Sequence, residues 1–264
     1  MGDVNDMACD GNTVCDQAKI ISVAPSLWVR QAVDNMGWVD VDGGLAVIDT
    51  LEDPHARDEV FAAIEKTTGG LPVRWVLNTH DHSDHIALNK AFKKRWNAQI
   101  ISHKNGEVPT RGVRRIGAGS GAIQMVHLPG CHTPEDCVIW VPQSKTLFTG
   151  DLFGWGLVPY NGNLRPGQGD LIRDTYMALI RYNAKTVVPG HGPICSTKEL
   201  TRWLAYFDQL RATVKHLFNP RMSLADVLAA IPPPDDMLHW WRFAAWKHAD
   251  SVKKIVKAVR KGWL

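Results

Sequence analysis

A dense run of histidine and aspartate lies near position 80 of the chain, and its residue types are those of metal ligands. The run reads His80-Asp81-His82-Ser83-Asp84-His85. Imidazole and carboxylate groups together suit zinc, iron and manganese, and burying so many of them without a ligand would be costly. The alternative is a polar surface loop that happens to be rich in histidine. We favour a metal site, because other candidate ligands stand in similar sequence surroundings.

Histidine or aspartate follows a short apolar strand pattern four times in this sequence. The four places are residues 80–85, His132, Asp151 and His191. Strand ends of α/β folds meet at one edge of a sheet, where ligands bind. The pattern therefore predicts that these side chains come together in space although they are far apart along the chain.

The seven candidate ligands are enough for two metal sites. A catalytic zinc commonly takes three protein ligands and keeps one position open for water. A carboxylate can also bridge two ions through its two oxygens. The candidate sets are His80, His82 and His132 for one ion, Asp84, His85 and His191 for the other, and Asp151 as the bridge.

The order and spacing of these residues resemble the metallo-β-lactamase superfamily, the αββα-sandwich metallohydrolases. The resemblance extends over about residues 20–195, and it includes Val47-Ile-Asp49-Thr, Leu147-Phe-Thr-Gly-Asp151 and Val188-Pro-Gly-His191-Gly. It implies an α/β fold of this sandwich type and the same division of the seven ligands between two metals. It also implies that Asp49 holds a ligating histidine in one tautomer; the alternative is a simple turn aspartate at a strand end.

Three departures from the family pattern bear on the substrate and the site. Asp151 argues against a true β-lactamase, because such enzymes typically lack a bridging carboxylate there. Glyoxalase II and the persulfide dioxygenases tend to follow that aspartate with a Gly-Cys-Gly-Arg-like segment, whereas this chain continues Leu152-Phe-Gly-Trp-Gly, so a glutathione thioester is not specifically supported. Cys131 is inserted directly before His132. We expect its thiol to pack in the core, because three histidines already complete the first site.

The loop that follows Asp151 is the candidate substrate pocket. It is rich in glycine and proline, and loops at this edge of the scaffold usually line the site. We predict that Trp155 and Tyr160 in this loop contact the substrate, with packing beneath the loop as the alternative. Asp84 is predicted to orient the attacking nucleophile in addition to binding metal.

Hydrophobic patterning predicts elements that would position these residues. Strands and a hairpin open the chain, helices and strands alternate in the middle, and helices close it. We expect a flexible leader over residues 1–17, a metallo-β-lactamase-fold core over 18–196, and a C-terminal helical extension packed on the core over 197–264.

Composition and charge limit the possible partners and compartments. No apolar run approaches the roughly 20 residues that cross a bilayer, and five cysteines without an export signal argue against a disulfide framework. We therefore expect a cytoplasmic protein without a membrane partner. Residues 240–264 carry seven basic residues and one acidic residue. Apolar residues recur there at helical spacing, so we favour a docked helix with solvated lysines over a nucleic-acid surface.

The sequence thus predicts a dinuclear metal-dependent hydrolase with a small-molecule substrate. Two divalent ions, zinc by first expectation and iron or manganese otherwise, would hold a bridging hydroxide that attacks an ester-like bond. The bond would be that of a lactone, thioester, sulfate ester or phosphate ester. One alternative is an iron-dependent oxygenase or redox enzyme of the same fold. Another is a nucleic-acid-processing protein that uses the basic tail.

Overall fold

Two β-sheets face each other in the computed structural model, which describes residues 18–128, 131–159, 164–217, 219 and 221–264. Within those residues, one sheet has the spatial order β1 (Lys19–Ala24), β2 (Leu27–Gln31), β3 (Met36–Val41), β4 (Gly44–Ile48), β5 (Val73–Leu77) and β6 (Gln99–Ile101). The other contains β7 (Arg114–Ile116), β8 (Ile123–His127), β9 (Cys137–Val141), β10 (Thr146–Gly150) and β11 (Thr186–Pro189), in order from one edge to the other.

Parallel pairing decides which strand ends meet. β4, β5 and β6 pair in parallel, as do β10 and β11, whereas the other neighbours pair antiparallel. Parallel neighbours need crossover connections, which are here α1 (Arg57–Thr68) after β4, and α2 (Ser83–Ile86) with α3 (Asn89–Trp96) after β5. The carboxyl ends of β4 and β5 therefore lie side by side, and so do those of β10 and β11.

Apolar side chains form the layers of the molecule. Between the sheets, Ile48 and Leu77 from the first and Ile139 and Phe148 from the second are at most 3% exposed. A second cluster lies under α1 and α3 on the outer face of the first sheet. A third lies between the second sheet and the helices α4 (Gln168–Arg181), α5 (Thr197–Leu217), α6 (Leu224–Ala230) and α7 (His248–Arg260). This layering confirms the predicted αββα sandwich.

The C-terminal helices share one apolar cluster with the second sheet. Trp203 of α5 stacks between Tyr176 of α4 and Phe207, with ring centroids 3.8 and 5.1 Å apart. Among the residues that the structure describes, no helix is both long and apolar enough to cross a bilayer. The unit boundary at residue 197 stays a prediction, and the predicted leader, residues 1–17, lies outside the described residues.

The single helix predicted from position 240 is wrong in its first part. A π-helical turn, Phe243–Lys247, precedes α7, and Arg242 before it has a φ of 57°. The lysines also do not all lie on a solvated back: Lys253 is exposed, but Lys247 is 2% exposed. The reason is that the Lys247 amine donates to the carbonyl of Gly154 at 2.8 Å, which compensates its removal from water.

The sequence pattern of residues 86–96 predicts one helix, but the structure has two short helices there, α2 and α3, with a break between them. The amides of Ala87 and Leu88 donate to the carbonyls of Leu51 and Thr50, at 3.1 Å each. The chain there is thus bonded to the loop that follows β4. Strand β7 was not predicted, because its hydrogen bonds come from its neighbour β8 and its own sequence is mostly polar.

Candidate metal centre

Four strand ends bring the seven predicted ligands together at one edge of the sandwich. Residues 80–85 follow β5, His132 lies between β8 and β9, Asp151 follows β10, and His191 follows β11. Their ligand atoms form two groups, within each of which the atoms lie no more than 4.8 Å apart. The groups are His80, His82, His132 and Asp151, and Asp84, His85, His191 and Asp151.

In the first group three ring nitrogens converge. The Nδ1 atom of His82 lies 3.1 Å from Nε2 of His80 and 3.0 Å from Nε2 of His132. Burial, and then the neighbouring His85, lower the pKa of His80 to about 2. His80 is therefore neutral and keeps a ring nitrogen lone pair for a ligand.

In the second group an imidazole and two carboxylates meet. Nε2 of His191 lies 3.1 Å from Oδ2 of Asp84 and 3.4 Å from Oδ1 of Asp151. The other oxygen of Asp151, Oδ2, lies 3.4 Å from Nε2 of His132 in the first group. The two oxygens of one carboxylate thus face the two groups, which is the geometry that a bridging ligand requires.

The outer nitrogens of four histidines are bonded so that Nε2 points inward. Main-chain carbonyls can only accept, so a ring nitrogen bonded to one must carry the proton. The Thr79 hydroxyl donates its hydrogen bond to Asp49 Oδ2 at 2.8 Å, so its oxygen accepts the hydrogen bond from His80. The four pairs are His80 Nδ1 with Thr79 Oγ1 (3.1 Å), His85 Nδ1 with Asp49 Oδ2 (2.9 Å), His132 Nδ1 with Pro159 O (2.6 Å) and His191 Nδ1 with Val33 O (3.0 Å). Such outer partners fix the tautomer and orientation of ligating rings.

Asp49 ties the loop after β4 to the segment that carries the histidines. Its carboxylate is 3% exposed and accepts from the amide and hydroxyl of Thr79, both at 2.8 Å, as well as from His85. Its own backbone has a φ of 53°, an uncommon conformation for a residue other than glycine. These contacts are those expected of a residue that orients His85.

Two buried atoms in this cluster fit a cation between them. Nε2 of His85 and Oδ1 of Asp151 are buried, lie 3.3 Å apart and have no hydrogen-bond partner among the described residues. With the His85 proton on Nδ1, both atoms present lone pairs to each other, and such a pair is unfavourable unless positive charge lies close by. The residues therefore fit a divalent metal.

Without a metal, the negative charge of the cluster favours a proton on His85, at the position facing Asp151 that a metal ion would take. Burial disfavours charge on His85, but the carboxylates of Asp151 and Asp49 outweigh it and raise its pKa well above the ordinary value. Burial likewise opposes ionisation of Asp151, but His85 and His191 hold its pKa well below the ordinary range. A buried carboxylate that stays ionised attracts a metal ion strongly.

Glycine at position 190 allows β11 to approach the cluster this closely. A Cβ atom on Gly190 would lie 2.2 Å from Oδ1 of Asp151 and 2.8 Å from the His85 ring. Neither neighbour can move without displacing a predicted ligand. The Pro-Gly-His segment therefore has a packing role as well as supplying His191.

Trp155, one of the two predicted substrate residues, is buried away from solvent. The Trp155 side chain is buried, with the residue 7% exposed, and its Nε1 donates to the carbonyl of Pro193 at 3.1 Å. Its ring packs edge to face on Trp240 at 5.4 Å. Because the C-terminal extension covers it, the substrate contact predicted for Trp155 is replaced by a structural role. Tyr160 lies outside the described residues.

Cys131, directly before His132, is fully buried and belongs to neither ligand group, as expected for packing.

The loop around His132 also contains a residue that the sequence analysis missed, Asp136. Asp136 accepts from the amides of His132 and Thr133, at 2.8 and 2.9 Å, and from the Thr133 hydroxyl at 2.6 Å. The signal was present, since aspartate commonly closes such turns.

Comparisons with known proteins identify the family and the fold. Residues 32–120 match the family model of the metallo-beta-lactamase superfamily. Over 198 residues the chain is 30% identical to a hydroxyacylglutathione hydrolase of Brucella anthropi, and the match covers 70% of each protein.

Two solved structures with similar folds come from different enzyme classes. A metallo-beta-lactamase from Pontibacter korlensis has a TM-score of 0.60 and 22% identity over 73% of this chain and 99% of that chain. A stereoselective inverting sec-alkylsulfatase from Pseudomonas sp. has a TM-score of 0.67 and 17% identity over 90% of this chain and 50% of that chain. At these identities the likeness concerns the fold alone.

Proposed function

The chain belongs to the metallo-β-lactamase superfamily and is a metal-dependent hydrolase, and on that premise we propose that it uses two metal ions to hydrolyse an ester-like bond in a small molecule. The observation that supports two ions is the pair of ligand groups that share Asp151. Imidazole and carboxylate ligands in this ratio suit zinc first, and iron or manganese next.

The seven candidate ligands would divide between the two ions, and their carboxylates would supply the negative charge of the site. His80, His82 and His132 would bind one ion, and Asp84, His85 and His191 the other, with Asp151 between them. When bound, the ions supply the Lewis acidity that lowers the pKa of a water from about 15.7 to about 7, so that a nucleophile exists at neutral pH. Asp49 would keep the proton of His85 on Nδ1, so that Nε2 could bind the metal.

Asp84 is suited to orient the nucleophile. In the metal-free protein, a hydrogen bond from protonated His191 holds the pKa of Asp84 at about 2, in spite of its partial burial. Its side chain is 28% exposed, so it is one of the ligands that solvent reaches. An ionised carboxylate at that position accepts a hydrogen bond from water and can direct a water lone pair toward the substrate.

We expect about two metal ions per chain in the wild type and about one in each of two histidine variants. His82→Ala should empty the first group, and His85→Ala the second, because each removes a ligand that the other group does not use. Metal analysis by mass spectrometry after dialysis measures the stoichiometry. His216→Ala, which removes an exposed histidine of α5, is the matched control. Full occupancy in both variants would contradict the assignment.

An acyl thioester is the first substrate to test. The relative from Brucella anthropi is named for the hydrolysis of hydroxyacylglutathione, in which the acyl group is joined to sulfur. The absence of a Gly-Cys-Gly-Arg-like segment after Asp151 leaves the thiol part of the substrate open. A lactone, an alkyl sulfate and a phosphodiester remain in the proposed class of ester-like bonds.

Among S-lactoylglutathione, a lactone, an alkyl sulfate, a phosphodiester and a β-lactam, we expect the zinc-loaded protein to turn over the thioester or the lactone with the highest kcat/KM. The β-lactam should be slower by about ten-fold or more, which corresponds to about 1.4 kcal/mol in the transition state. Chelator-treated protein is the control. Oxygen uptake by the iron-loaded protein without hydrolysis of any of the five would favour the oxygenase alternative.

Nucleic-acid processing is the weaker alternative. Two of the basic residues of the tail, Lys247 and Lys254, donate to main-chain carbonyls of the loop after Asp151. They are therefore engaged within the fold and are not available to phosphates.

A further inference from the structure

The π-helical turn before α7 and the first turns of α7 form hydrogen bonds to the loop that follows Asp151. Lys247 Nζ donates to the carbonyl of Gly154 at 2.8 Å, and Lys254 Nζ donates to the carbonyl of Val158 at 3.0 Å. Between them, Ser251 Oγ accepts from the amide of Val158 at 2.9 Å and donates to the carbonyl of Gly156 at 3.0 Å. Lys247, Ser251 and Lys254, which we call the loop clamp, are spaced four and three residues apart and so lie on one helical face.

The loop bonded in this way has few main-chain hydrogen bonds within itself. Within the described part of residues 152–163, Gly154 and Leu157 form an isolated bridge with one main-chain hydrogen bond of 3.3 Å. The clamp supplies partners for four further main-chain groups of the loop, the carbonyls of Gly154, Gly156 and Val158 and the amide of Val158. Loss of a clamp residue would leave such groups without a partner, which is costly when they are buried.

Pro159, the next residue of this loop, orients one candidate ligand. The carbonyl of Pro159, directly after Val158, accepts from Nδ1 of His132 at 2.6 Å. This bond keeps the proton on Nδ1 and leaves Nε2 free to face His82 and Asp151. Val158, which the clamp holds, is therefore joined by one peptide bond to Pro159, whose carbonyl orients the ring of His132.

We infer that the loop clamp positions His132 for metal binding through the carbonyl of Pro159. The inference rests on the proposed metal centre. It also explains why a lysine is buried at position 247: its amine, removed from water, is used to hold a carbonyl of this loop. Burial, and then the charge of Arg242, lower the pKa of Lys247 well below its ordinary value, consistent with an amine kept for hydrogen bonding.

The effect should be confined to the first metal group. His80 and His85 are oriented by Thr79 and Asp49, and His191 by the carbonyl of Val33, all of which belong to the sandwich. The clamp touches none of these partners. A disturbed clamp should therefore weaken the site that contains His132 and spare the site that contains His85.

The test is a metal titration of the whole protein in competition with a chromophoric chelator, which resolves two binding constants. We expect Lys254→Met to weaken the first site by about ten-fold, the usual scale for outer partners of ligands, and Ser251→Ala by more. Lys254→Arg, which keeps a donor, should restore the wild-type constant. Lys253→Met is the matched control, because that lysine of α7 is exposed.

The tautomer of His132 gives a readout that needs no metal. In the nitrogen NMR spectrum of the histidine rings of the metal-free protein, the wild type should show His132 protonated on Nδ1. Lys254→Met and Ser251→Ala should give a mixture of tautomers at unchanged secondary structure. If both variants keep this tautomer and both metal constants within about two-fold, the inference is overturned. If the wild type binds no metal, the proposed function fails, and the ring spectrum still decides the role of the clamp.

Discussion

Replacement of Asp151 by asparagine should remove most of both metal ions and lower kcat/KM by about a thousand-fold or more, equivalent to about 4 kcal/mol. The two oxygens of this carboxylate face different ligand groups, at 3.4 Å from His132 Nε2 and 3.4 Å from His191 Nε2. An amide offers one neutral oxygen and an NH₂ group, and the latter repels a cation. Metal analysis together with kcat/KM on the best substrate measures the effect.

Asp174→Asn is the matched control, because it removes one negative charge from the exposed surface of α4. It should leave metal content and turnover unchanged. Retention of one full ion by Asp151→Asn would show that one group binds metal independently of the bridge. The proposal would then reduce to a mononuclear site with a neighbouring carboxylate.

Replacement of Trp155 by alanine should destabilise the protein by about 3–5 kcal/mol, the range for truncation of a large buried aromatic. The ring packs between Phe153 and Trp240, with centroids 5.4 Å away in each case, and its Nε1 satisfies the carbonyl of Pro193. Denaturant unfolding of the chelator-treated protein measures the loss without a contribution from bound metal.

Trp246→Ala is the control for this variant, since Trp246 is 45% exposed and its loss should change stability by no more than about 0.5 kcal/mol. At a temperature where Trp155→Ala is folded, its kcat/KM should stay near wild type. Unchanged stability with a kcat/KM weakened about ten-fold would instead return Trp155 to the substrate pocket.

The identities of the candidate ligands could be predicted from the sequence because the relevant signal is local. Each of His132, Asp151 and His191 follows a short apolar strand. The three strands, β8, β10 and β11, run in the same direction within one sheet, so their carboxyl ends lie at one edge. The division into two groups with a shared carboxylate followed from ligand number and from the family resemblance. The αββα layering was predicted from the family resemblance, and the structure confirms it.

The element boundaries were less predictable where hydrogen bonds cross between elements. The break between α2 and α3 arises because Ala87 and Leu88 donate to the loop after β4. β7 exists because β8 supplies its partners. Neither partner can be read from the segment itself, since the backbone groups involved are the same in every residue.

The sequence by itself determined the fold class and the set of candidate metal ligands. Only the tertiary structure decided which atoms of those side chains face the centre. The rings of His132 and His191 are oriented by the main-chain carbonyls of Pro159 and Val33. Every residue has such a carbonyl, so the sequence does not indicate which one accepts the hydrogen bond. The structure also decided that Trp155 is buried, because the C-terminal helices that cover it begin more than 40 positions further along the chain. Packing of this kind depends on contacts between distant segments, which cannot be predicted from composition or local periodicity.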